Sequence, residues 1–210
     1  MVREDINEFL ASIPKNVTLV AATKYVDAKE MEVLLKSGIN NFGENRTEAF
    51  LEKYYSLLNK GVIWHFIGHL QRNKANDVIN KIDYLHSLDS LKLAEVIEKK
   101  RETPLKCFVE VSINLEETKN GVPYYEVKEF VKELLKYKKV QLVGLMMMAI
   151  KESSEYSLEK QFAKLRELRD ELEKELNIKL PYLSMGMSDD YKEAIKEGAT
   201  HIRLGRILFK

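Results

Sequence analysis

Short β-branched apolar runs alternate along the chain with stretches whose apolar positions recur every three or four residues. The first run, Val17-Thr-Leu-Val-Ala-Ala-Thr-Lys24, is bounded by Pro14-Lys15-Asn16 before it and Asp27 after it, and reads as a buried strand. Further strands are expected at 39–42, 62–67, 82–86, 105–113, 140–146, 180–184 and 201–204. A short amphipathic helix precedes the first strand, with Ile6, Phe9, Leu10 and Ile13 on one side. Asp27 caps a helix carrying Met31, Leu34 and Leu35, and Gly38 ends it. Helices follow at 47–58, from 68–74 through Val78 and Ile79, at 87–100, from Pro123 to 137, at 154–177 and from the Ser188 cap to 195. The longest of them carries Leu158, Phe162, Leu165, Leu168, Leu172 and Leu176 on one stripe, with charged residues opposite.

Strands and helices therefore alternate strictly, and the strand count reaches eight. This is the pattern of a single (β/α)₈ barrel of the TIM type, with an extra N-terminal helix at 1–13 and the barrel at 17–210. A doubly wound open sheet is the competing architecture, but no Gly-x-Gly-x-x-Gly follows the first strand.

Composition narrows the functional classes. A 45% hydrophobic and 32% charged chain of 210 residues suits one globular domain. A formal net charge of +1 argues against nucleic acid as a partner. The single cysteine, Cys107, lies in an apolar run and leaves no internal disulfide or cysteine metal cluster. There is no apolar stretch long enough to span a membrane and no signal-peptide pattern, so a cytoplasmic protein is expected.

The residues that carry chemistry fall at the C-terminal ends of the expected strands, the face where barrels of this type build their sites. Lys24 ends the first strand, on the same face as Val20 and Ala22. A lysine there either reaches solvent or is held partly neutral by desolvation as a Schiff-base amine. Gly43-Glu44-Asn45 follows the second strand and Gly68-His69-Leu70-Gln71-Arg72-Asn73-Lys74 the third. His86-Ser87 ends the fourth strand, Asn114 the fifth, and Met146-Met147-Met148 the sixth. After the seventh and eighth strands come Ser184-Met-Gly-Met-Ser188 and Arg203-Leu-Gly205-Arg206, the loops that commonly hold a phosphate in this fold. Gly186 permits close backbone approach, Ser188 offers a hydroxyl or a helix cap, and Gly205 and Arg206 offer N–H groups and positive charge. Asp189 and Asp190 suit a helix start but would repel an anion if turned inward. The four histidines, His65, His69, His86 and His201, lack metal-ligand spacing and are expected to line the mouth or fill the core.

Together Val20-Ala-Ala-Thr-Lys24, Phe42-Gly-Glu-Asn45, Trp64-His-Phe-Ile-Gly-His-Leu-Gln-Arg-Asn-Lys74, His86-Ser-Leu-Asp-Ser90, Leu183-Ser-Met-Gly-Met-Ser-Asp-Asp190 and Ile202-Arg-Leu-Gly205 resemble the pyridoxal phosphate homeostasis protein family. The resemblance runs from about Val17 to the C-terminus. It implies the barrel of the alanine racemase N-terminal domain and a pyridoxal 5′-phosphate cofactor, buffered and delivered without catalytic turnover. It implies an aldimine at Lys24, with Ser188, Gly205 and Arg206 beside the phosphate, Arg203 near the pyridine nitrogen and Asn45 in the pocket. Two positions depart from the family: Arg206 replaces a small hydroxyl residue after the last Gly, and the chain ends Phe209-Lys210. The expected partners are the cofactor and pyridoxal-phosphate-dependent apoenzymes, and the expected state is a monomer. Two other readings stay open: a small alanine-racemase-like enzyme with weak activity, and a cofactor-free Schiff-base lyase acting through Lys24.

Overall fold

The structure, a computed structural model, describes residues 1–113, 120–150 and 152–209. Eight strands form the barrel: β1 (Thr18–Ala22), β2 (Asn41–Glu44), β3 (Ile63–Phe66), β4 (Tyr84–Leu88), β5 (Leu105–Ser112), β6 (Val140–Met146), β7 (Tyr182–Ser184) and β8 (His201–Leu204). Each pairs in parallel with its sequence neighbours, and β8 closes the ring on β1 with Val20 opposite Arg203. The helices are α1 (Ile6–Ala11), α2 (Ala28–Lys36), α3 (Thr47–Ser56), α4 (Ala75–Val78), α5 (Leu91–Lys100), α6 (Val127–Leu134), α7 (Glu155–Leu176) and α8 (Tyr191–Lys196). None of them is long and apolar enough to cross a membrane.

Local chemistry explains most of the boundaries. Asp27 accepts from Glu30 N (2.9 Å) at the start of α2, and Gly38 leaves that helix at φ +89°. Ser154 caps α7 and Asn177 ends it in the left-handed region at φ 50°. The buried face of α7 is Leu158, Phe162, Leu165, Leu168 and Leu172, as its apolar stripe predicts. Gly144 in β6 is there because a Cβ would lie 1.9 Å from the Tyr182 carbonyl oxygen on β7.

Several boundaries differ from expectation. β4 continues to Leu88, so α5 starts late, capped by Ser90 accepting from Leu93 N (3.3 Å). Pro123 does not open a helix; Val122 and Pro123 pair with Val111 and Ser112 before a 3₁₀ turn leads into α6. The segment after β3 forms only the four-residue α4.

The strands carry two cores. Their outward side chains, among them Phe42, Phe66, Leu85, Cys107, Val109, Leu183 and Ile202, pack with the helices into one large apolar cluster. Inside the barrel sit rings: His65 stacks on Tyr84 (centroids 4.6 Å apart), His86 on Phe108 (4.4 Å), and His201 lies edge-on to Tyr182 (4.9 Å).

Candidate functional site

Strand β1 stops at Ala22, two residues short of Lys24. Alternation sends Thr23 outward, where it is fully buried and its Oγ1 donates to Glu44 Oε1 (2.5 Å). Lys53 on α3, also buried, donates to that carboxylate oxygen (2.7 Å) and to the Thr23 carbonyl (2.6 Å). The backbone just before Lys24 is thereby clamped from outside the barrel. Glu44 Oε2 is buried with no hydrogen-bond partner among the described residues. Lys24 itself is exposed at the mouth, with Nζ 4.6 Å from the centroid of the Tyr25 ring. Of the two sequence readings of Lys24, the structure shows the one that reaches solvent.

The other side of the mouth is built around Ser188. Its Oγ accepts from Gly205 N (3.3 Å) and Ile207 N (3.4 Å). Both contacts are long for N–H···O bonds, so these donors are exchangeable for a more negative acceptor. Ser188 is not the helix cap. That position belongs to Asp190, whose Oδ1 accepts from Met187 N (2.5 Å) and thus faces its own turn. Gly186 is required at φ +95°, where a Cβ would lie 2.7 Å from Ala194 Cβ. A Cβ on Gly205 would lie 3.5 Å from the Ala22 carbonyl oxygen, which puts the β8 loop against the end of β1.

Arg206 lies at the rim. Its guanidinium pairs with Asp189, and both side chains are 78% exposed. The N–H groups that converge on Ser188 are those of its neighbours Gly205 and Ile207.

Arg203 is the buried cation of the site. It donates to Ser184 Oγ (2.6 Å) and to the Met147 carbonyl (2.8 Å). Burial lowers its pKa to about 10, against the pull of Glu110 and Asp190, so it remains charged at neutral pH. Glu110, at the mouth end of β5, is pushed up to about 7, first by burial and then by Asp89, with Arg203 opposing. Burial also raises Asp89, which faces the exposed His69 ring at 3.5 Å.

Asn45 is half-buried after β2, and Gly68 lies so close that a Cβ there would sit 2.4 Å from the Asn45 carbonyl oxygen. Met146 and Met147 are buried and Met148 is exposed. Asn114 lies outside the described residues. His86, expected at a strand end, sits mid-strand inside the barrel together with His65 and His201. Among the described residues no group of three His, Cys, Asp or Glu is arranged to hold a metal ion.

Sequence reasoning missed Ser184, the Thr23–Glu44–Lys53 clamp and the inward pairing of His65 with His86. The usable signal was parity: Ser184 lies two residues from Tyr182 and His86 two from Tyr84, both inward-facing on the same strand.

Residues 2–210 match the family model of the alanine racemase N-terminal domain. A pyridoxal phosphate homeostasis protein of Aquifex aeolicus is 41% identical over 194 residues, covering 91% of this chain and 85% of that one. The solved structure of PipY from Synechococcus elongatus, with pyridoxal phosphate bound, is 29% identical at a TM-score of 0.91, covering 99% of both chains. An alanine racemase from Clostridium difficile shares the fold at a TM-score of 0.82 and 16% identity, with 57% of its length covered.

Proposed function

The chain belongs to the pyridoxal phosphate homeostasis protein family, built on the alanine racemase N-terminal domain, and from that premise we propose that it binds pyridoxal 5′-phosphate at the barrel mouth. The observation that carries the reading is the meeting of three unlike features at one end of the barrel. An amine, Lys24, projects from the end of β1. A glycine-lined cradle of N–H groups surrounds Ser188. A buried donor-only guanidinium, Arg203, closes the inner side. An aldehyde, a phosphate dianion and a pyridine nitrogen are the ligand groups that match them.

In this reading Lys24 Nζ would hold the cofactor at its aldehyde carbon. Gly205 N, Ile207 N and the Ser188 hydroxyl would be the donors that hold the phosphate. Asn45 lines the pocket beside the Gly68 approach. Arg206 contributes charge at the rim from its pair with Asp189.

The same geometry favours holding over turnover. The bound cofactor supplies an electron sink for amino-acid chemistry, strongest when its ring nitrogen is protonated. Arg203 can only donate hydrogen bonds, so it favours the unprotonated ring. We assign the protein a buffering and delivery role in the cytoplasm, as a monomer that passes the cofactor to pyridoxal-phosphate-dependent apoenzymes.

Titrating the purified protein with pyridoxal phosphate, followed by visible absorption, tests the reading. A saturable new band is expected for the wild type and none for Lys24→Ala. Identical spectra for the two proteins, or amino-acid racemisation at about 1 s⁻¹ or faster, the lower edge of ordinary enzymes, would contradict it.

A further inference from the structure

Inside the barrel one hydrogen-bond chain links five strands. Asn41 Oδ1 faces His65 Nε2 at 2.9 Å, and His65 Nδ1 faces His86 Nε2 at 2.9 Å. His86 Nδ1 faces Ser184 Oγ at 2.8 Å, and Ser184 Oγ receives Arg203 at 2.6 Å.

The donor roles along it follow from the Asn41 end. Asn41 donates its amide to Asn40 Oδ1 (3.0 Å), which leaves Oδ1 as an acceptor for His65. His65 therefore carries its proton on Nε2 and accepts at Nδ1. His86 in turn donates from Nε2 and accepts at Nδ1, so the Ser184 hydroxyl donates to it. The Arg203 end is compatible with this direction: Ser184 Oγ accepts from the donor-only guanidinium with one lone pair and keeps its hydroxyl proton for His86. The chain closes without a clash, provided both imidazoles are neutral. Burial, with neighbouring positive groups, holds both rings well below 6.5.

We infer that Asn41, His65 and His86 are positioning residues that act through Ser184 to fix the Arg203 guanidinium against the ring of the bound cofactor. The inference rests on the pyridoxal phosphate reading above. Its physical content is that Ser184 has a hydroxyl proton committed to His86, so its lone pairs stay directed at Arg203. Removing the acceptor on His86 frees that proton, so the Ser184 anchor of the guanidinium loses its fixed orientation while Met147 O is untouched. If the chain merely satisfied buried polar atoms, substitutions would change stability and leave the bound cofactor's spectrum alone.

The test has two parts. In the first, ¹⁵N-histidine NMR of the full chain without cofactor reads the tautomers. Neutral Nε2–H forms are expected for both His65 and His86, and an Nδ1–H form for either overturns the inference. In the second, pyridoxal phosphate affinity and the absorption maximum of the bound cofactor are measured for Ser184→Ala, Ser184→Thr, His86→Leu and His65→Leu. Affinity is expected to fall about tenfold for Ser184→Ala, the worth of a hydrogen bond to a charged group, and less for each step further from Arg203. The absorption maximum should shift in the same order, and Ser184→Thr, which retains the hydroxyl, should restore both. Folded variants with the wild-type affinity and spectrum overturn the inference while leaving the cofactor reading intact. A wild type that binds no cofactor overturns both.

Discussion

On the outer side of β5, Cys107, Val109 and Val111 press into the helices; on its inner side Phe108 and Glu110 face a space shared with three histidines. The outer layer is held chiefly by apolar area, with the Thr23–Glu44–Lys53 clamp as its buried polar exception. The inner layer is held by ring stacking and directed hydrogen bonds, and barrels of this type more often fill that space with branched aliphatics. A polar interior adds little where hydrophobic burial alone would fold the chain. It makes sense where a buried cation must be aimed at something above it.

Mutations should separate the two layers. The largest effect belongs to the strand seam itself: Gly144→Ala drives a Cβ to 1.9 Å from Tyr182 O, backbone against backbone, and no soluble folded protein is expected. In the outer layer Phe50→Ala removes a fully buried ring packed edge-on to Trp64 and Phe66. About 3–5 kcal/mol of stability should be lost in urea melts, with cofactor affinity at saturation of the fold unchanged. A fall in affinity of the folded variant would break the separation.

Acid should act on the inner layer. His201 is held down to about 4, by burial first and Arg203 second, against 6.5 when unfolded. As pH falls the unfolded chain takes up this proton first, so the stability present above 6.5 is lost toward 4. Glu110 has the opposite sign: raised from 4.5 to about 7, its contribution is present below 4.5 and lost as pH rises through 7. His65 and His86 are shifted well down in the same direction as His201; burial raises Asp89 and Asp190 in the same direction as Glu110 but less strongly, so the histidines prevail. Urea midpoints should therefore drop from pH 6.5 to 4.5, and Glu110→Gln should steepen that drop. A midpoint independent of pH over this range contradicts the picture of a titratable interior.

The smallest effects lie at the surface. Arg206→Ala breaks a fully exposed pair, and stability should change by less than about 0.5 kcal/mol. Its effect on cofactor affinity then isolates what the guanidinium adds to the neighbouring N–H groups. Cys107, whose thiol pKa is raised by burial, should resist thiol reagents until the protein unfolds.

Apolar patterning made the outer layer legible. The expected bounds of β6, β8 and α7 match the structure because each is an uninterrupted stripe with clear caps. Polar stretches were harder. In Ser188-Asp189-Asp190 every residue can cap a helix, and only the structure shows that Asp190 takes the N-cap position, its side chain turned back to Met187 N, while Ser188 turns to Gly205 and Ile207. The segment Gly68 to Lys74 reads as a helix start, yet the close approach of Gly68 to Asn45 holds it as a loop. Lys24 just past β1 and Arg203 within β8 stand where the alternation of strands and helices put them. The chain behind Arg203 was not legible, because bonded neighbours in it are up to 98 residues apart and meet only when the barrel closes.

The central claim is that Lys24 is the amine that holds the cofactor at this mouth. The direct measurement is borohydride reduction of the protein equilibrated with pyridoxal phosphate, followed by mass mapping of the labelled peptide. The account predicts one stoichiometric label, on Lys24. A label on Lys53 or Lys74, or none at saturating cofactor, would contradict it.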